Sequence, residues 1–246
     1  MLSSGATNKP GIYFPFGHCG FRVDHAIRVY SSPDLVNWTS EGEILPASDR
    51  PEGIYFRPKV KYNARTKEFV LWVNYLAPAH APLFAYRHAR LLVATSKQPT
   101  HGFRIVTQKA NLSVDGAGDF DIFVDNDGKA YVAYDAWMND HTVLIEQLTE
   151  DYTDSLGAMA RSEPLSPKNN EAPILFRRGE TYFLMYGHVC CFCKEGTNAH
   201  VKIATSPLGP WNDTCREVFD GAALKARFWD VSTKTILSST VVSVTN

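Results

Sequence analysis

The chain has 246 residues, 26 acidic against 25 basic, a formal net charge of −1 and no long run of one sign. That balance excludes a surface built mainly for nucleic acid or an anionic membrane, and no apolar run reaches the length of a transmembrane helix. Hydrophobic residues make up 44% and aromatic residues 12%, enough for one large core rich in β-formers or two small ones.

The opening run MLSSGATNKPGIYF has neither the basic start nor the apolar centre of a signal peptide. Within it GIYFPFG (11–17) alternates as a strand does. VYSSPDLVNW (29–38) follows as a β-type run, a serine, a proline-containing turn and an aromatic. YFRPKVKYN (55–63) and KEFVLWVNY (67–75) form a strand pair across the turn NARTKE. LVATSKQPTHGF (92–103) then repeats the serine, proline turn and aromatic. The same succession returns as GDFDIFVD (118–125), the turn DNDGK and GKAYVAYDA (128–136). It returns again as EAPILFRR (171–178), RRGE, GETYFLMYG (179–187) and KIATSPLGPW (202–211). Beyond about residue 221 the tail has β-type residues but matches no unit.

The aromatics Tyr13, Phe69, Tyr131 and Tyr182 step by 56, 62 and 51 residues, with no amphipathic helix between. Units of about 40–50 residues built from antiparallel strands are the mark of a β-propeller. A β-sandwich would not predict repeated turns at such steps. The expected fold is all-β, a single five-bladed β-propeller over 1–246. It is incomplete, because blade 1 lacks its first strand and blade 5 is mostly missing.

In a propeller the first strand of each blade lines the channel, so equivalent strand starts meet at one end of the axis. Arg57, Asp119 and Glu171 stand at three such starts, at steps of 62 and 52 residues. Loops after the second strands share that face: Asn74–Tyr75, Asp135–Trp137 and His188 to Cys193. Trp137 is placed to stack on a sugar ring or to pack within its loop. His188 is a pocket candidate or a hydrogen-bonded loop histidine. DNDG (125–128) has the look of a calcium loop, but its place between two short strands makes it a solvated hairpin turn. The five cysteines are Cys19, Cys190, Cys191, Cys193 and Cys215. VCCFCKEG has no second pair at zinc spacing, so it reads as thiols or one local disulfide. No metal site and no cofactor is expected. Sequons at Asn37, Asn111 and Asn212 leave the compartment open.

Two carboxylates across a cleft are what cleavage of a glycosidic bond requires: one donates a proton to the leaving oxygen, the other activates water or attacks. A general acid must hold its proton near neutrality, which an ionised neighbour and a dehydrated site both favour. Glu171, beside the apolar API run, fits the acid, and Asp119 fits a neighbour that tunes and orients it. The alternative is that both carboxylates only hydrogen-bond loop backbone.

YSSPDLVNW, RPKVKYN, GDFDIFVDNDGKAYVAY, EAPILFRRGETYFLMYG and the PLGPW after ATS together resemble glycoside hydrolase family 43 over about residues 11–215. RPKV with the following YN further resembles the subgroup acting on β-1,3-galactan. The resemblance implies a five-bladed propeller and hydrolysis with inversion. It makes Glu171, in the Glu-Ala-Pro motif, the general acid, and Asp119, six residues before Asp125, the group that modulates its pKa. It also implies an extracellular setting and a polysaccharide or oligosaccharide substrate containing galactose or arabinose. On the strand and loop geometry above, Arg57 is a partner of the substrate or of a carboxylate, and Trp137 and His188 are substrate-binding candidates. The family's base aspartate belongs to the first strand of blade one, and this chain begins after that strand. Asp24 lies in a loop, and Phe56 stands where the subgroup has a glutamate. The alternatives are a catalytically impaired carbohydrate-binding propeller and a protein-interaction platform.

Overall fold

Turn chemistry and apolar alternation set the element order in the computed structural model, which describes residues 26–83, 86–189, 198–214 and 239–245. Strands β1 (Ala26–Ser32) and β2 (Thr39–Glu43) pair as a hairpin. Strands β3 (Ile54–Asn63), β4 (Glu68–Leu76), β5 (Arg90–Ser96) and β6 (Arg104–Thr107) form a second sheet in sequence order. The third sheet holds β7 (Ala117–Val124), β8 (Ala130–Ala136) and β9 (Thr142–Gln147). The fourth holds β10 (Asn170–Arg178), β11 (Thr181–His188), β12 (His200–Ala204) and β13 (Asn212–Asp213). Helix among the described residues is limited to short 3-10 turns, and no helix is long and apolar enough to cross a membrane.

The first sheet takes its third strand from the C-terminal tail. Strand β14 (Ser239–Thr245) pairs antiparallel with β1 from Ala26↔Thr245 to Ser32↔Ser239, giving the order β14-β1-β2. Strand β14 thus fills the place beside β1 with residues far along the chain. Strand β14 lies against β3, β3 against β7, and β7 against β10. The expected strand at 11–17, Asp24 and all five cysteines lie outside the described residues.

The cores lie between successive sheets. Ile27, Val29, Leu71, Val73, Leu92 and Ala94 pack between the first and second. Val70, Trp72, Leu91 and Val93 turn the other way, onto Phe120, Ile122, Val132 and Tyr134 of the third. Tyr131, Ala133, Val143 and Ile145 leave the third sheet's opposite face for Leu175, Leu184 and Tyr186 of the fourth. Strands β4 and β8 are therefore covered on both faces, which explains their nearly unbroken apolar runs. Strand β11 alternates instead, with Tyr182, Leu184 and Tyr186 buried and Phe183 and Met185 partly exposed. On that open face Phe176 and Phe183 stack at 5.1 Å, and Ile174 is 52% exposed.

Two buried polar clusters hold the third sheet, and the second joins it to the fourth. Glu146 is fully buried and accepts from the hydroxyls of Tyr134 (2.6 Å), Ser113 (2.5 Å) and Ser155 (2.5 Å) and from the Ser113 N–H (3.0 Å). Hydrogen bonds to a buried carboxylate are stronger than neutral ones. Glu146→Gln, which keeps the shape, should therefore cost about 1 kcal/mol in urea unfolding. An unchanged midpoint would show that the network stabilises nothing.

The 125–128 segment is the expected hairpin turn, closed by Asp125 N–H to Lys129 O at 2.8 Å and Gly128 N–H to Asp125 O at 3.0 Å. It is not simply solvated. Asp125 is buried, accepts from the Tyr182 hydroxyl and pairs with Arg177 at 2.9 Å, joining the third sheet to the fourth. Burial alone would raise its pKa. The Tyr182 hydroxyl, the Asn126 N–H and Arg177 outweigh that and hold it below the ordinary value.

Candidate active site

The inner strands share one irregularity. In β3 the register slips between Phe56 and Lys59, in β7 between Ala117 and Phe120, and in β10 between Glu171 and Ile174. In each case two residues oppose one on the partner strand, a β-bulge. The bulged pairs are Arg57-Pro58, Gly118-Asp119 and Ala172-Pro173. Proline has no N–H for a ladder, so a bulge is where a strand tolerates it. Arg57 and Ala172 take left-handed backbone, φ 52° and 55°. That costs a non-glycine residue about 1 kcal/mol or more and recurs at functional sites.

These bulges correct the repeat phase read from the sequence. Glu171 is equivalent to Phe56 and Ala117, one position before the bulge, while Asp119 is equivalent to Pro58 and Pro173. Arg57, Asp119 and Glu171 are thus not three copies of one position. They are three neighbouring positions that the bulges turn toward the same end of the inner strands.

Arg57 and Asp119 form an ion pair between β3 and β7, with side chains 45% and 15% exposed. The Arg57 guanidinium also lies 5.1 Å from the centre of the Phe56 ring. Behind the pair, fully buried Asn74 donates from its side-chain amide to Ala117 O and Gly118 O, both at 3.0 Å, and so fixes the start of β7. The start of β10 is held by Asn169 N–H to Asp140 O at 2.9 Å and Asn170 N–H to His141 O at 2.8 Å. Glu171 is therefore registered against the turn that follows β8. His188 is exposed and pairs with Asn170 across β10 and β11, at the same strand ends as Glu171.

Asp135 joins these groups, in a role that the sequence pattern does not reveal. The pattern places it in a loop with Trp137, yet it lies inside β8, opposite the Gly118-Asp119 bulge, with its side chain 1% exposed. Asn74 and Tyr75, expected in the loop after the earlier strand, likewise lie inside β4. The Trp137 indole N–H donates to the Asp135 carboxyl group, and His141 Nδ1 stands 3.1 Å from Asp135 Oδ2. The Trp137 ring leans on His141 at 4.2 Å. Gly118 leaves room for this cluster, since a Cβ there would overlap Asp135 Oδ2 and the indole nitrogen.

The electrostatics bring all the acidic residues together. The pKa of Asp135 is pushed up to about 8, first by burial and then by the charges of Asp119 and Glu171; Arg57 and the Trp137 N–H oppose this. Burial lowers the pKa of His141, outweighing the charge of Asp140. The Asp135–His141 contact is therefore a hydrogen bond between two neutral groups near neutrality, since burial disfavours both charges. Asp119 and Glu171, 52 residues apart in sequence, act on one buried carboxyl group. Among the described residues no group of three His, Cys, Asp or Glu side chains is arranged to hold a metal ion.

Further along the same inner strands, Lys59 stands 3.6 Å from Asp121, whose other oxygen accepts the Leu175 N–H at 3.4 Å. Lys61 faces the same aspartate, and burial lowers its pKa against that attraction.

The architecture and the site residues can be set beside known proteins. No curated protein sequence matches the chain significantly. A family 43 β-1,3-galactosidase bound to galactodeoxynojirimycin superposes with a TM-score of 0.64 at 29% identity, over 78% of this chain and 68% of that one. An exo-β-1,3-galactanase from Phanerochaete chrysosporium with galactose gives 0.61 at 25%, over 76% and 42%. An exo-β-1,3-galactanase from Clostridium thermocellum gives 0.63 over 85% and 51%, and at 24% identity it shows the fold alone. The chain thus spans between about two fifths and two thirds of the length of these structures. The model of glycosyl hydrolases family 43 matches residues 13–220, a span that takes in all three bulged strands with Arg57, Asp119 and Glu171. The chain is a member of glycosyl hydrolases family 43.

Proposed function

We propose that the chain is a glycosidase directed at galactose-containing polysaccharide and acting with inversion. Glu171 donates the proton to the leaving oxygen, Asp119 orients and tunes it, and Arg57 holds Asp119 and meets the sugar. Trp137 and His188 border the sugar-binding rim. The observation that carries this reading is the convergence of Arg57, Asp119 and Glu171 from three separate strands onto one end of the inner-strand array, around buried Asp135. The galactose and galactodeoxynojirimycin bound by the similar structures support the choice of sugar.

The architecture is proposed as a single five-bladed propeller domain. The four sheets supply four blades, and the half-covered face of β10–β13, with Ile174, Phe176 and Phe183, is where a further sheet packs.

A second reading, binding without turnover, has a specific observation in its favour. The inner place of the first sheet is taken by β14 (STVVSVT), and neither it nor β1 (AIRVYSS) carries an acidic residue. Phe56 also occupies the position equivalent to Glu171. In this reading the pocket retains sugar, but no group activates the water. Incubation with β-1,3-galactan separates the two: release of reducing sugar supports hydrolysis, and retention of galactan without release supports the binder. Absence of both would sink the carbohydrate assignment.

The rim also yields a steric prediction. Gly118→Ala displaces the Trp137 indole and should weaken galacto-oligosaccharide binding about tenfold, since overpacking a tight site costs about 1–3 kcal/mol. Calorimetric titration checks it, and unaltered affinity would remove Trp137 from the sugar site.

A further inference from the structure

The acid and its tuning aspartate account for two of the carboxyl groups in the cluster and leave the third without a role. Asp135 is the most buried of them, and every group around it belongs to the site. Asp119 faces it from β7, Glu171 from β10 and Arg57 from β3, and His141 and Trp137 meet it from the turn after β8. Its neighbour on β9, Val143, is apolar and buried. A carboxyl group inside a fully buried strand is costly unless its surroundings hold it neutral or pair it. Here two hydrogen-bonding rings and a glycine-shaped space accommodate it, and both rings lie at the rim.

We propose that Asp135 is a positioning residue of this site: from beneath the β7 bulge it fixes the Trp137 indole and the His141 ring at the rim and couples electrostatically to Asp119 and Glu171. The proposal rests on the reading of Glu171 as the proton donor for its catalytic consequence, but not for its geometry. Below about pH 8 the group is neutral and the indole N–H donates to an uncharged carboxyl group. Above that pH a buried negative charge appears beside Asp119 and Glu171. The ring contacts then change, and the cluster carries one more charge when substrate arrives.

The test uses the whole chain labelled with ¹⁵N-tryptophan, with the Trp137 indole resonance assigned from Trp137→Phe. In the unsubstituted protein that resonance should move between pH 7 and 9 with a midpoint near 8. In Asp135→Asn, which keeps an acceptor for the indole, it should stay at its low-pH position throughout. In Asp135→Ala, which offers no acceptor, it should be displaced at every pH.

An indole titration that persists in Asp135→Asn overturns the proposal. If the unsubstituted protein hydrolyses nothing, the proposed activity falls, and the indole titration still decides whether Asp135 positions the rim. If Asp135→Ala fails to fold, the comparison of Asp135→Asn with the unsubstituted protein decides by itself.

Discussion

Glu171→Gln is expected to lower the release of sugar from β-1,3-galactan by roughly a hundred- to ten-thousand-fold, the range that one positioned proton donor contributes. Glutamine keeps the size of the side chain and its place one position before the β10 bulge, opposite Gly187. What it lacks is a proton to give. The scaffold should not move, because the start of β10 is held by main-chain bonds to Asp140 and His141 and by the Asn170 amide donating to Pro167 O at 2.9 Å. Binding of galacto-oligosaccharide should therefore persist while turnover fails. An aryl galactoside with an acidic phenol as leaving group supplies a sharper comparison, since its departing oxygen needs little help from an acid. With that substrate the variant should lose much less rate than with the polysaccharide. Equal losses for both substrates would mean that Glu171 acts by some means other than proton donation. A variant as active as the unsubstituted chain would end the assignment.

The parts of this site that are legible in the sequence are those fixed by short-range chemistry. The inner and second strands appear as apolar alternation between Gly- and Asp-containing turns, and β3, β4, β7, β8, β10 and β11 fall within about two residues of their expected bounds. Glu171 and Asp119 stand out because an acid at the head of an apolar strand is unusual. The bulges do not stand out, although Pro58 and Pro173 are compatible with them: β3 and β10 pair on one side only, and a proline in such a strand sits at the open edge or where the ladder is broken. Without the bulges the repeat phase shifts by one residue at Arg57 and by two at Asp119, which hides the equivalence of Glu171 with Phe56 and Ala117. Asp135 reads as a loop residue, because a carboxylate next to Ala-Trp looks like a strand end. Its two covered faces come from neighbouring sheets, which no local pattern records. Strand β14 is illegible for a related reason, since its partner β1 is more than two hundred residues away and the pairing is specified by tertiary packing alone.

The raised pKa of Asp135 also makes a large, signed prediction about stability. In the unfolded chain an aspartate titrates near its ordinary value, about 3.9, whereas in the folded protein this one titrates at about 8. Between those limits the folded state keeps a proton that the unfolded state has released, so stability must fall as pH rises. His141 works in the opposite sense. Burial lowers its pKa in the folded state, so below about pH 6.5 the unfolded chain binds a proton that the folded one does not, and stability there rises with pH. The two effects offset each other on the acid side, and Asp135 acts without that opposition from about pH 6.5 to 8. One linked proton changes stability by about 1.4 kcal/mol per pH unit, so the loss across that window should be about 2 kcal/mol. Urea unfolding at half-unit steps of pH measures it directly. In Asp135→Asn the decline should vanish while the rise below pH 6.5 remains, because the burial that lowers the His141 pKa is kept. A parallel decline in both proteins would show that Asp135 ionises normally in the folded state, and the neutral pair behind the β7 bulge would have to be abandoned.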